Sequence, residues 1–368
     1  LGEAARIVAG AAIVNAGSRI NSPPPSPCPD ACNAPRDEAL ARSTTDTPTE
    51  EEKMKDKLVT LFGGGGFLGR YVAQDLLKAG ARVRIAERNP ANAWFIKPLG
   101  NLGQTQFVSA DITKPETLAR ALHGADVAIN FVGLLKGDFE AAHVKGASNA
   151  ATAAKAAGVQ DFIQISSVGA AADAPSHYLR SKADGEAAVR AAMPDAIVIR
   201  PSIVFGPEDG FINRFATIAR LAPLMVPVMK PDAKFQPVYV ADVAEAVAKA
   251  AMDPGPCRGE TFELGGPQVL TMRAINRYIL DTIGKPGKQI LEVPDAIGSA
   301  MANFGFLPGA PITRDQWLSL SKDNVVAEGA RGFEAFGIEP RPLGAVAEKW
   351  LVQYRTHGRF ADKTANAG

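Results

Sequence analysis

Leu58-Val59-Thr60-Leu61-Phe62-Gly63-Gly64-Gly65-Gly66-Phe67-Leu68-Gly69-Arg70-Tyr71 decides how this chain is read. An apolar run short enough for a buried parallel strand meets a glycine cluster, and Leu68, Val72 and Leu76 then recur every four residues, as on one helix face. The stretch predicts strand, tight turn, helix. Gly63, Gly66 and Gly69 fall three apart. Gly63 suits the turn, Gly66 a close approach of backbone to a pyrophosphate, and Gly69 tight packing of helix on strand. Phosphates would then meet unpaired N–H groups at the positive end of the helix. Consecutive glycines also suit a flexible linker, but a strand before them and a helix after them favour a dinucleotide site.

Working outward from Leu58, strands alternate with helices, which is the mark of a parallel sheet covered on both faces. Further strands are expected at 82–86, 106–108, 127–132, 161–166, 196–200 and 261–264, with helices over about 139–157 and 343–354. Because crossovers between parallel strands are right-handed, this order predicts an α/β fold: a doubly wound Rossmann sheet with its cofactor at the carboxyl edge. Residues 58–264 are expected to form this NAD(P)-binding domain, and 265–368 a smaller C-terminal region covering the sheet edge. Residues 1–57 change from Ala/Gly/Val/Ile-rich to Pro/Ser-rich to acidic, as a disordered tail does, and Met54 stands as a candidate functional start.

The chain of 368 residues is 46% hydrophobic, enough for a large core, and its net charge of +1 gives no electrostatic basis for nucleic-acid binding. Cys28, Cys32 and Cys257 cannot make a disulfide framework, and Cys28 with Cys32 lacks the second pair that a metal site needs. No apolar run is long enough to span a membrane.

The end of the second strand meets the adenosine ribose in such folds. Glu87 suits a ribose 2′-hydroxyl, and so NAD(H); Arg88 suits a 2′-phosphate, and so NADP(H). Both are present, and the stronger guanidinium–phosphate pairing favours NADP(H), with NAD(H) as the alternative. Asp111 is placed to reach the adenine edge or to cap the helix that follows.

Tyr178 and Lys182 lie one helical turn apart, where an ammonium lowers a phenol's pKa, and Ser166 or Ser167 arrives from the fifth strand to polarise a carbonyl. The plain alternative is a solvated helix face. His143 reads as a helix-surface residue. Ile297, Met301, Phe304 and Phe306 read as pocket lining, a docking face, or simply core.

Together these residues resemble the extended and atypical short-chain dehydrogenase/reductase superfamily over about 58–264. The resemblance is carried by the glycine triad, Asp111-Ile112, Asn130-Phe131-Val132-Gly133, Ser166-Ser167, Tyr178 with Lys182, Arg200-Pro201-Ser202, Phe205-Gly206-Pro207 and Pro237-Val238-Tyr239-Val240-Ala241-Asp242-Val243. It implies that Gly63, Gly66, Phe67, Leu68, Gly69, Arg88, Asp111, Ile112, Asn130, Val132 and Gly133 line the cofactor. Pro201 and Ser202 would lie against the nicotinamide, as would Tyr178 and Lys182, and Ser167, Tyr178 and Lys182 align with the catalytic triad. A closer resemblance, carried by Gly66-Phe67-Leu68-Gly69-Arg70-Tyr71-Val72, 178–186, 236–240 and Ile312-Thr313-Arg314-Asp315-Gln316, is to the nucleotide-binding accessory subunits of respiratory complex I, the alpha-subcomplex subunit nine family.

That resemblance implies a structural NADP(H)-binding subunit, complex I subunits as partners, and a peripheral place on the cytoplasmic face of a bacterial inner membrane. The other reading is a free NAD(P)-dependent reductase, dehydrogenase or epimerase acting on a small carbonyl substrate. The intact Ser167, Tyr178 and Lys182 favour it; the short connection 168–177, which leaves little chain to wall a pocket, and the 312–316 stretch favour the subunit.

Overall fold

The computed structural model describes residues 54–55, 57–304, 312–356 and 358. The expected tail up to 53, with Cys28 and Cys32, and the expected pocket residue Phe306 lie outside the described residues.

The chain first builds β1 (Leu58–Phe62), α1 (Phe67–Lys78), β2 (Arg82–Glu87), β3 (Thr105–Ser109), α2 (Leu118–Leu122) and β4 (Val127–Asn130). Then come α3 (Gly146–Ala156), β5 (Asp161–Ile165), α4 (His177–Ala192) and β6 (Ile197–Pro201). Next are β7 (Val204–Phe205), α5 (Ile212–Leu221), β8 (Met225–Met229), β9 (Lys234–Phe235), β10 (Val238–Tyr239) and α6 (Val240–Met252). Last are β11 (Thr261–Leu264), β12 (Leu270–Thr271), α7 (Met272–Thr282), β13 (Gln289–Val293), α8 (Asp295–Asn303), α9 (Arg314–Ser319), α10 (Leu343–Val346) and α11 (Glu348–Leu351).

Seven parallel strands form the central sheet in the order β11-β6-β5-β4-β1-β2-β3. Strand β1 shows why both faces must be covered. Val59 and Leu61 enter one core cluster with Val72 and Leu76 of α1 and Val243 and Val247 of α6. Leu58 and Phe62 enter the other, with Leu118 of α2 and Ala147, Ala150, Ala151 and Ala154 of α3. Period-two alternation thus sends an apolar residue into a helix layer at almost every position. The strand order reverses between β1 and β4, which opens a crevice outside their carboxyl ends. Met54, fully buried, already belongs to the first cluster.

Three differences from the sequence expectation have local causes. Strand β4 stops at Asn130, because the Asn130 side chain turns back to accept from Val132 N–H at 3.1 Å. The helix expected over 139–157 begins as a π-turn, Glu140–Lys145, before α3. Its wider turn carries His143 inward. The helix expected over 343–354 is broken into α10, α11 and a final 3-10 turn, Val352–Tyr354. Beyond the main sheet, β7 pairs with β10, β8 with β13 and β9 with β12, around a third core cluster that includes Phe205, Ile275 and Trp350.

Candidate functional site

The crevice begins with the glycine turn. Gly63 takes a left-handed φ of +75° that favours glycine, and its N–H donates to Ala86 O at 3.1 Å. A Cβ on Gly69 would lie 2.7 Å from Gly64 Cα and 2.8 Å from Gly63 O, so only glycine lets α1 sit this close to the turn. Gly66 differs. Its backbone is extended and exposed, and a Cβ there would approach only Gly63 O, at 3.1 Å. It caps α1 without a side-chain hydrogen bond, and the first turn holds no acid, so the N–H groups of Phe67 and Leu68 open an uncontested anion cradle. These features fit a pyrophosphate.

At the expected adenosine end, Glu87 Oε1 accepts from Gly65 N–H at 2.8 Å, which ties the end of β2 to the turn. Arg88 beside it is exposed. Asp111 Oδ1 accepts from Thr113 N at 3.0 Å and Thr113 Oγ1 at 2.7 Å. Burial raises its carboxyl, but these bonds and the charges of Lys114 and Arg88 outweigh it and leave Asp111 below the usual carboxylate range. Ile112 is buried behind it, against Gly146 of α3.

Past the switch point, Asn130 is fully buried and donates to Gln164 Oε1 at 2.9 Å. With its bond to Val132 N–H it fixes the backbone leading to Gly133, where an added Cβ would sit 3.2 Å from Lys182 Nζ. Lys182 Nζ donates to Ile165 O at 3.3 Å. Burial brings its pKa down to about 8, against the pull of Glu186. The expectation that the ammonium lowers the Tyr178 phenol does not hold here: burial raises that phenol, opposed by a hydrogen bond with Ser167. Ser167, Tyr178 and Lys182 are nonetheless brought to one wall. Ser166 is buried and its hydroxyl has no partner.

His143 is not a helix-surface residue. It is 3% exposed, stacked on Phe139 at 5.3 Å and edge-on to Tyr178 at 5.6 Å. Burial, then the charges of Lys182 and His177, push its pKa down to about 3.

The residues expected on the nicotinamide side are tied to the C-terminal region. Pro201 ends β6, and Ser202 Oγ donates to Asn324 Oδ1 at 2.6 Å. Asp315 accepts from His177 N at 2.6 Å and Tyr178 N at 3.1 Å, so it caps α4 at its first turn. Sequence reasoning noticed 312–316 only as a resemblance. Its Thr313/Gln316 capping box was readable locally, whereas the partner of Asp315 was not. Ile297, Met301 and Phe304 are not core: they are 54%, 37% and 60% exposed, while Gly298 of α8 packs on Trp317.

The chain matches the NmrA-like family over residues 55–297. It is 33% identical to NADH dehydrogenase [ubiquinone] 1 alpha subcomplex subunit 9, mitochondrial, of Arabidopsis thaliana, over 82% of this chain and 79% of that protein. It is 35% identical to the protein of the same name from Mus musculus, over 82% and 81%. Ceramide reductase of Caulobacter vibrioides is 35% identical over 51% of this chain and 58% of its own. Among solved structures, an NADPH-dependent quinone oxidoreductase of Escherichia coli complexed with NADPH superposes with a TM-score of 0.63 at 20% identity, covering 80% of this chain and 99% of that one. The fold family binds NAD(P).

The expected place on the cytoplasmic face of a bacterial inner membrane is overturned: the five subunit relatives, from plant, mouse, rat, slime mould and fungus, are mitochondrial proteins. Among the described residues no helix is long and apolar enough to cross a membrane. With the family match and two long alignments above 30% identity, this chain belongs to the NmrA-like Rossmann family and, within it, to the family of the alpha subcomplex subunit 9 proteins.

Proposed function

We propose that the chain holds NADP(H), as a stabilising accessory subunit of a respiratory NADH:quinone oxidoreductase. The observation that carries this reading is the glycine turn joined to a helix end without a side-chain cap, in a chain related over 82% of its length to proteins named as subunits of that enzyme. A bound nucleotide would supply two-electron reducing power; the residues here are set to hold it. Gly63, Gly66 and Gly69 with the N–H groups of Phe67 and Leu68 take the pyrophosphate. Arg88 takes the 2′-phosphate, with Glu87 held by the turn, and Asp111 and Ile112 bound the adenine side. Asn130, Val132 and Gly133 form the floor, Tyr178 and Lys182 meet the nicotinamide ribose, and Pro201 and Ser202 back the ring.

Binding alone accelerates nothing, since catalysis needs contacts that strengthen in the transition state. Deleting the chain should lower membrane NADH:quinone reductase activity. Wild type and Tyr178→Phe should restore it, and Gly66→Val should not. Full restoration by Gly66→Val would remove the nucleotide from the account.

A free reductase is the second reading, favoured by Ser167 beside the Tyr178 phenol and by a Lys182 of pKa about 8. NADPH consumption with aldehydes, ketones or nucleotide sugars, abolished by Tyr178→Phe, would support it.

A further inference from the structure

Helix α4 is capped twice. Ser176 Oγ accepts from Leu179 N at 3.2 Å, as a local cap does, while Asp315 supplies the acceptors for His177 and Tyr178 from a remote segment. Asp315 is itself held in place. Thr313 and Gln316 close a capping box around α9, with Gln316 N donating to Thr313 Oγ1 at 3.2 Å and Thr313 N to Gln316 Oε1 at 3.1 Å. Trp317 of the same helix is buried against Gly298 of α8 and lies under the Lys230 ammonium, 4.7 Å from the ring centre.

The segment then crosses three adjacent strand ends. Beside β5 and β6, Asn324 Oδ1 accepts from Ser202 Oγ and from Ile203 N at 3.1 Å, and its Nδ2 donates to Val168 O at 3.3 Å. At β11, Ala327 N donates to Glu263 Oε2 at 2.9 Å. Glu263 in turn accepts from Arg200 at 3.2 Å, and Arg200 grips Glu186 of α4 through two bonds of 2.9 and 2.6 Å. Residues 312–327 therefore reach α4 at both ends, directly at Tyr178 and through Arg200 at Glu186.

We propose that residues 312–327 are a strap that couples occupancy of the nicotinamide subsite to the order of the C-terminal region carrying α8 and α9, with Asp315 as the positioning residue for Tyr178. The proposal rests on the nucleotide-holding reading above. Its physical basis is linkage: the strap fixes Tyr178 and Ser202, so a nicotinamide that needs both in place binds more tightly when the strap is docked, and docks the strap by the same factor. The adenosine end touches none of these groups. A ligand that fills only that end leaves the strap equilibrium unchanged.

The test is hydrogen–deuterium exchange on the full chain with NADPH and, separately, with adenosine 2′,5′-bisphosphate, which lacks the nicotinamide. NADPH is expected to slow exchange at His177, Tyr178 and 312–327 by roughly tenfold or more, and the bisphosphate to protect the glycine turn alone. Asp315→Ala is expected to weaken NADPH by about tenfold, to leave bisphosphate affinity within about twofold, and to abolish strap protection at saturating NADPH. Asp315→Asn, which keeps one acceptor oxygen, should recover part of the loss. Saturable NADPH binding without strap protection, or equal strap protection by both ligands, overturns the coupling alone. Absence of saturable NADPH binding overturns the nucleotide-site reading and the coupling with it. The wild-type comparison stands even if Asp315→Ala fails to fold.

Discussion

His143 Nδ1 lies 2.8 Å from Ser181 Oγ, and Ser181 Oγ donates to Tyr178 O, also at 2.8 Å. On the other side of the ring, Leu134 N donates to His143 Nε2 at 2.8 Å. A nitrogen that accepts from a backbone N–H carries no proton, so the neutral imidazole holds its hydrogen on Nδ1 and gives it to Ser181. One buried side chain thereby pins the backbone past Gly133 to the helix that carries Tyr178 and Lys182.

This arrangement predicts a pH dependence of stability. The folded pKa of His143, about 3, lies below its ordinary 6.5. The unfolded chain therefore takes up a proton between those values that the fold refuses. His143 contributes its full stabilisation above pH 6.5 and loses it as the pH falls toward about 3, at up to about 1.4 kcal/mol per pH unit. His143→Gln should melt below wild type at pH 7.5, and the gap should narrow steadily in melts at pH 6 and 5. A gap independent of pH would mean that the folded ring takes up its proton as readily as the unfolded chain does.

Lys182 sets a second dependence, on affinity. Its pKa of about 8 means that the ammonium is lost within the alkaline working range. Titrations should give constant NAD(P)H affinity below pH 7, falling by up to about tenfold per unit above pH 8. Lys182→Met should bind more weakly and lose the slope.

Two glycines three residues apart should fail differently. A side chain at Gly69 meets backbone atoms at 2.7–2.8 Å, so Gly69→Ala strains the strand–helix junction itself and should lower the melting temperature. Gly66 is extended and exposed, and an added Cβ meets only Gly63 O, at 3.1 Å, so Gly66→Val should melt within about 4 °C of wild type while weakening nucleotide binding tenfold or more. Calorimetry and titration on the same two proteins separate the effects.

In the proposed reading, nucleotide selectivity turns on Arg88. Loss of one charge-assisted bond to a phosphate costs about 1.5–3 kcal/mol, so Arg88→Ala should weaken NADPH at least tenfold and leave NADH nearly unchanged. Equal losses for both would assign Arg88 to the loop rather than to the 2′-phosphate.

The sheet was legible because its signals are local. The run 58–69 alone specifies strand, turn and helix, and β4, β5 and β6 carry similar short apolar runs. What escaped depends on distant or register-sensitive contacts. The π-turn at Glu140–Lys145 adds to the helix register, and this addition, invisible in periodicity, moves His143 from surface to interior. Asp315 and Asn324 act more than 100 residues away from Tyr178 and Ser202, at separations of 137 and 122, and nothing in a local pattern names such partners. The phenol of Tyr178 departs from expectation for a related reason: spacing places Lys182 one turn away, but the ammonium donates to Ile165 O, and burial sets the phenol instead.

The central claim is that this chain holds a nucleotide within a respiratory NADH:quinone oxidoreductase. The most direct measurement is to purify that enzyme in its native state and determine, by mass spectrometry and nucleotide extraction, what accompanies it. The account predicts one copy of this chain per complex, with one NADP(H) that survives purification and is not consumed while NADH is oxidised. Absence of the chain from the purified complex, together with Tyr178-dependent consumption of NADPH by the isolated chain and a carbonyl substrate, would contradict it.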